Sequence, residues 1–213
     1  MGRLLRMSTI LLICVCVEPA LQENDADRKL RELILYISWC CRNHGNIGAT
    51  KLNKILFYSD FAAYLKLGKP ITGQDYFALQ TGPAPKRLLP VREDMEERGE
   101  ITLCNVQITE DYCQQLIVPQ RTSDLSDFTA EEIAIVHQMM VRFFWKSAKA
   151  TSEESHKFIG WIAAELHETI PYSSALLDAP HILGTEPVPI SKDQIQNARG
   201  LEEKAKLLLD EYG

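Results

Sequence analysis

Between Gly48 and Gly68 the chain carries its most regular helical pattern. Leu52, Ile55, Leu56, Phe61, Ala62 and Leu65 recur at three- and four-residue steps, so a wide face of this helix must be buried. Thr50 is placed to cap it ahead of Lys51, and Gly68 followed by Pro70 stops it. Upstream, Leu30, Leu33, Ile34, Ile37 and Cys41 form a single apolar stripe with Asn24 or Asp25 as its cap. The stretch His44-Gly45-Asn46-Ile47-Gly48 breaks that first helix before the second begins.

After Pro70 the helical period disappears. Tyr76-Phe77-Ala78-Leu79 is a short apolar and aromatic run between Gly73 and Gly82-Pro83, which predicts an extended segment leading into a turn. Pro85 can open a helix that continues through Leu88, Leu89, Val91 and Met95 to Gly99, with Pro90 early enough to be tolerated. The β-rich runs 100–106 and 113–119 flank a polar turn and predict one antiparallel hairpin. Thr129-Ala130-Glu131-Glu132 reads as a capping box ahead of an apolar face formed by Ile133, Val136, Met140, Phe143 and Phe144. A third long helical pattern runs from Glu153 to about His167 and ends at Thr169-Ile170-Pro171-Tyr172. A Pro-rich surface connection then leads through Pro189 to a last helix opened by Ser191. The expected fold is α+β, mainly α: about six helices, one small antiparallel β-hairpin and a short extended segment, monomeric or weakly self-associating.

With 213 residues, 46% hydrophobic and 24% charged, the chain can bury a core without disulfide or metal staples, and no cofactor is expected. A formal charge of -6 works against a broad phosphate-binding surface. The cysteines at 14, 16, 40, 41, 104 and 113 repeat no zinc-knuckle or disulfide spacing and are expected reduced and buried. Cys40 or Cys41 beside His44 lacks the orienting group a hydrolase needs. His137, His156, His167 and His181 lack a ligand spacing, so no metal site is expected. Phe143, Phe144, Trp145 and Trp161 read as core aromatics at helical spacing. Residues 1–26 combine a basic start with the short apolar run Ile10 to Val17. They form either a leader or a start placed too far upstream, too short to span a bilayer. A cytoplasmic location is the expectation.

Four segments in fixed order carry a resemblance: Lys51-Leu52-Asn53-Lys54-Ile55, then Tyr58-Ser59-Asp60-Phe61, then Pro70-Ile71-Thr72-Gly73, then Tyr76-Phe77-Ala78-Leu79-Gln80-Thr81-Gly82-Pro83-Ala84-Pro85. Together they resemble the Panacea domain, the antitoxin SocA-like family. The likeness extends from about Arg28 to Val118, and more loosely to Ile170-Pro171-Tyr172. On it the chain divides into an extension (1–26), a Panacea-like domain (27–190) and a C-terminal helix (191–213).

The resemblance implies an antitoxin that neutralises a protein toxin, usually encoded beside it, by direct contact, with some relatives delivering the toxin to a protease. It implies no catalysis, nucleic acid or membrane. The expected binding residues are Tyr76, Leu79, Gly82, Pro83, Lys86 and Arg87 around the Gly-Pro turn. Lys51, Asn53, Tyr58 and Asp60 are the structural motif. Asn53, Tyr58 and Asp60 are polar groups on an apolar helix, expected to bond the backbone of the 76–83 segment and to set Tyr76 and Pro83 at the surface. The alternative is a winged-helix-like or phage-associated regulator, with Lys86, Arg87 and the hairpin meeting DNA.

Overall fold

The computed structural model describes residues 24–42, 47–109 and 112–185. The expected leader before residue 24, the break at 43–46 and the C-terminal helix from 191 lie outside them. The expected class holds: the protein is α+β and mainly α.

Helix α1 (Asp25–Cys41) starts where Asn24 accepts a hydrogen bond from the Asp27 amide at 2.7 Å. All five residues of its predicted stripe are buried. Helix α2 (Ala49–Leu67) begins behind Gly48, so Thr50 lies inside the helix and is not its cap. Every residue from Lys51 to Ala63 is buried, polar ones included. The helix is therefore central, enclosed on its whole circumference rather than on one wide face.

The predicted extended segment folds back on itself. Strand β1 (Tyr76–Leu79) pairs antiparallel with β2 (Gly82–Pro85), Tyr76 opposite Pro85 and Leu79 opposite Gly82. The two-residue turn Gln80-Thr81 closes because Gly82 adopts a φ of 96°, a conformation open to glycine. Helix α3 (Leu88–Glu97) follows three residues later than its predicted start, and the one predicted hairpin is β3 (Ile101–Thr109) with β4 (Tyr112–Pro119), so the structure has two hairpins where one was expected.

Thr129 caps α4 (Ala130–Phe144) through the expected box with Glu132. The predicted helix from Glu153 to His167 is two helices, α5 (Ala148–Ser155) and α6 (Ile159–Ile162). Between them Phe158 takes an extended conformation (φ −66°, ψ 125°) and is fully buried, with its ring 5.4 Å from Phe57 and 5.6 Å from Phe61. Aromatic burial there overrides the local helical pattern. Strand β5 (Thr169–Ile170) completes a three-stranded sheet in the order β2-β1-β5. The Pro-rich connection then contains a 3-10 helix (Tyr172–Leu177) and α7 (Ala179–Leu183) packed on α2.

Ion pairs bind α1 to the rest: Arg31 to Asp94 of α3 and to Glu100, Glu32 to Arg121, and Asp27 to Arg87. Cys41 is buried, but Cys40 and Cys113 are exposed and Cys104 is half-buried, which corrects the expectation for those three. Among the described residues no helix is long and apolar enough to cross a membrane. The Thr129→Ala variant should lose about 1 kcal/mol of stability in urea unfolding, because the Glu132 amide loses its cap. An unchanged midpoint would show that the box contributes nothing.

Candidate protein-binding site around the β1–β2 hairpin

The polar residues of α2 are posts that hold other segments. Asp60 is 1% exposed and accepts from the Ile71 amide (2.9 Å), the Thr72 amide (2.8 Å), the Tyr76 hydroxyl (2.8 Å) and the Thr72 hydroxyl. Burial raises its carboxyl above the ordinary range while those donors pull it back. Burial and the neighbouring Asp60 carboxyl push the Tyr76 hydroxyl well above its own. Thr72 Oγ1 also accepts from the Gln74 amide at 3.2 Å. Gln74 in turn donates to Asp27 at 2.8 Å, and Asp27 pairs with Arg87 at 3.0 Å. One continuous polar chain thus runs from α2 through the 71–75 loop to α1 and the start of α3.

Lys54 is fully buried and donates to the Pro83 carbonyl at 2.9 Å, with no ion-pair partner among the described residues. Desolvation lowers its ammonium to about 7. Lys51 donates to the Phe144 carbonyl at the end of α4. Tyr58 shares a 2.8 Å hydrogen bond with His181 Nε2, and the Arg142 guanidinium lies 4.5 Å from its ring centroid. The expected pattern is therefore corrected in detail. Asp60 bonds the main chain at 71–72 and reaches the 76–83 segment only through the Tyr76 hydroxyl. Lys54 holds Pro83, Tyr58 holds α7, and Asn53 Oδ1 has no partner among the described residues.

Tyr76 is 1% exposed, and Gly82 and Pro83 are buried beneath Lys54 and Ser155. The expectation that Tyr76 and the Gly-Pro turn stand at the surface is overturned: the packing against α2 and α5 uses them from within. A Cβ on Gly82 would overlap Ser155 Oγ and Lys54 Nζ. Leu79 is half-buried. Lys86 and Arg87 are exposed but engaged, Lys86 with Thr169 and Arg87 with Asp27.

The exposed part is the turn itself. Ser152 Oγ donates to the Thr81 carbonyl (2.8 Å), Trp161 Nε1 to the Leu79 carbonyl (3.0 Å), and the His167 amide to the Ala78 carbonyl (2.8 Å). Gln80 and Thr81 stand clear between three clefts of about 870, 420 and 200 Å³. Each is bordered by large exposed apolar side chains: Trp145 (87% exposed) in the first, Ile162 and Leu166 in the second, Leu89 in the third. Exposed apolar side chains grouped around one turn make this face a candidate binding surface. Trp145 was expected in the core. It escapes because α4 ends at Phe144, which leaves it as the C-cap residue. Its one sequence signal was a tryptophan next to the predicted end of an apolar face.

Burial raises both thiols of the Cys40-Cys41 pair, Cys41 up to about 11, which is the wrong direction for a nucleophile. No group of three or more metal-ligating side chains occurs among the described residues.

The family model described as antitoxin SocA-like, Panacea domain matches residues 52–162. The chain belongs to that family. The match spans α2, the hairpin, α3, the second hairpin, α4, α5 and α6, so the Panacea segment contains both the Asp60 and Lys54 posts and the hairpin they hold. No curated protein matches the chain, and neither does any solved structure.

The lowered Lys54 ammonium has a definite consequence. Below pH 7 folded and unfolded chains both bind its proton. Between about 7 and the ordinary lysine value the unfolded chain binds more, so stability rises with pH by at most about 1.4 kcal/mol per unit from this group. Urea unfolding of wild type and Lys54→Met from pH 6 to 10 should show the methionine variant gaining most at pH 6, with the difference shrinking toward pH 10. Parallel curves would contradict the assignment.

Proposed function

We propose that this protein is an antitoxin that neutralises a cognate protein toxin by direct contact through the face around the β1–β2 turn. The observation that carries the reading is the coincidence of two facts. The Panacea match covers the residues that build the hairpin, and the hairpin tip is ringed by exposed Leu89, Trp145, Ile162 and Leu166. A rigid tip surrounded by apolar anchors binds another protein at low ordering cost. Membership of an antitoxin family also suggests a non-enzymatic role. The partner is a toxin encoded beside this chain in the same cytoplasm, and handing the bound toxin to a protease is a further step the same contact permits.

The winged-helix alternative finds less support. Arg87 is paired with Asp27. Helix α3 carries Glu93, Asp94, Glu96 and Glu97 next to the β3–β4 hairpin, and those carboxylates repel phosphate.

Co-expression with each neighbouring open reading frame tests the reading. One frame should be toxic alone and tolerated with the wild-type chain. Trp145→Glu and Leu166→Glu should lose rescue while melting as the wild type does, since both side chains are solvent-exposed. Failure of rescue with every neighbouring frame overturns the proposal.

A further inference from the structure

Helix α4 has no charged side. Past its first turn it carries a single charge, Arg142. Opposite the face packed in the core it leaves Ala134, Gln138, Val141 and Trp145 exposed, at steps of four, three and four residues. Val141 is 72% and Trp145 87% exposed. A helix that is apolar on both sides belongs in an interior, so among the described residues α4 lacks a neighbour on this side. Beside the stripe a groove of about 370 Å³ runs between α4 and the end of α1, lined by Cys40, His137, Val141, Phe144 and Trp145.

The sequence contains a matching stripe. Within the predicted C-terminal helix, Leu201, Ala205, Leu208 and Tyr212 repeat the same steps of four, three and four, and Glu203, Lys206 and Asp210 fall on the opposite side of that period. The described chain also ends beside α4. Arg142 donates to the carbonyls of His181 (2.8 Å) and Ile182 (2.7 Å), and Gly184 lies against the same guanidinium. Residues 186–200 reach about 50 Å when extended, whereas the stripe from Ala134 to Trp145 is about 17 Å long. A tether of that kind keeps the segment near the groove at about millimolar effective concentration, which favours it over a second copy or another protein.

We infer that residues 201–212 cover the outer face of α4, seating Leu201 and Leu208 along the α1–α4 groove and closing Cys40 off from solvent. The segment supplies the neighbour that α4 lacks. Trp145 also lines the largest cleft of the binding face, so the seated segment abuts that face. The inference concerns the chain's own packing and does not depend on the antitoxin reading.

Two measurements on the full chain test it. A Val141→p-benzoylphenylalanine variant is irradiated in an equal mixture with nitrogen-15-labelled wild type, and the linked peptides are identified by mass. Position 141 should link to residues 201–212 of the same, unlabelled chain. Links to a labelled peptide, which mean a second copy, links to residues 1–23, or no link at all overturn the inference. The second measurement follows N-ethylmaleimide addition at each cysteine. Leu201→Glu/Leu208→Glu should speed the reaction at Cys40 about tenfold, while the exposed Cys113, outside the groove, reacts as in the wild type. An unchanged rate at Cys40 overturns the inference. Should the double variant aggregate, Val141→Glu on the exposed side of α4 must free Cys40 in the same way. A carboxylate placed near a thiol slows its reaction by disfavouring the thiolate, so the acceleration comes from uncovering.

Discussion

The Asp60 carboxylate, enclosed in the middle of α2, is the constraint on which the rest of the structure depends. A carboxylate removed from water is tolerated only when hydrogen bonds replace its solvation. Here two main-chain amides and two hydroxyls supply them, all from residues 71–76. That requirement fixes the loop after α2 and turns the Tyr76 ring inward, to within 5.4 Å of Phe61 and 5.7 Å of Phe57. It also starts β1 in one register. Lys54, between one and two helical turns before Asp60, takes the other arm of the hairpin at Pro83. A single helix therefore grips both strands of the hairpin.

Rigidity below and exposure above are then two aspects of one arrangement. The Gly82-Pro83 pair is packed so closely under Lys54 and Ser155 that only glycine fits, while Gln80 and Thr81, two residues earlier, meet solvent. Glu32, Asp27 and Asp60 are buried and fully engaged. Among the described residues Asn53 and Arg92, at the border of the hairpin, keep buried atoms without partners, as do Ser59 inside α2 and His156 after α5.

Much of the helical framework was legible because apolar spacing reports it directly: the α1 stripe, the capping box at Thr129 and the β3–β4 hairpin all follow from local pattern. The family was legible from four segments around α2. The role of the hairpin was misread for a physical reason. A tyrosine and a Gly-Pro turn look like surface recognition elements by composition, and nothing local shows that Asp60 and Lys54 draw them into the core. The break at Phe158 was hidden likewise, since the residues around it fit a helix and only the distant Phe57 and Phe61 rings demand otherwise. Leu89 and Trp145 fit apolar helical faces in sequence, and only the chain's three-dimensional course leaves them outside.

Amide hydrogen exchange across residues 70–85, compared between the wild type and Asp60→Asn, tests the central claim most directly. The account predicts that in the wild type the Ile71, Thr72 and Ala78 amides exchange as slowly as those of α2. In Asp60→Asn the same amides should exchange many times faster while α1 and α4 stay protected. Rapid exchange of these amides in the wild type, or unaltered protection in the variant, would contradict it.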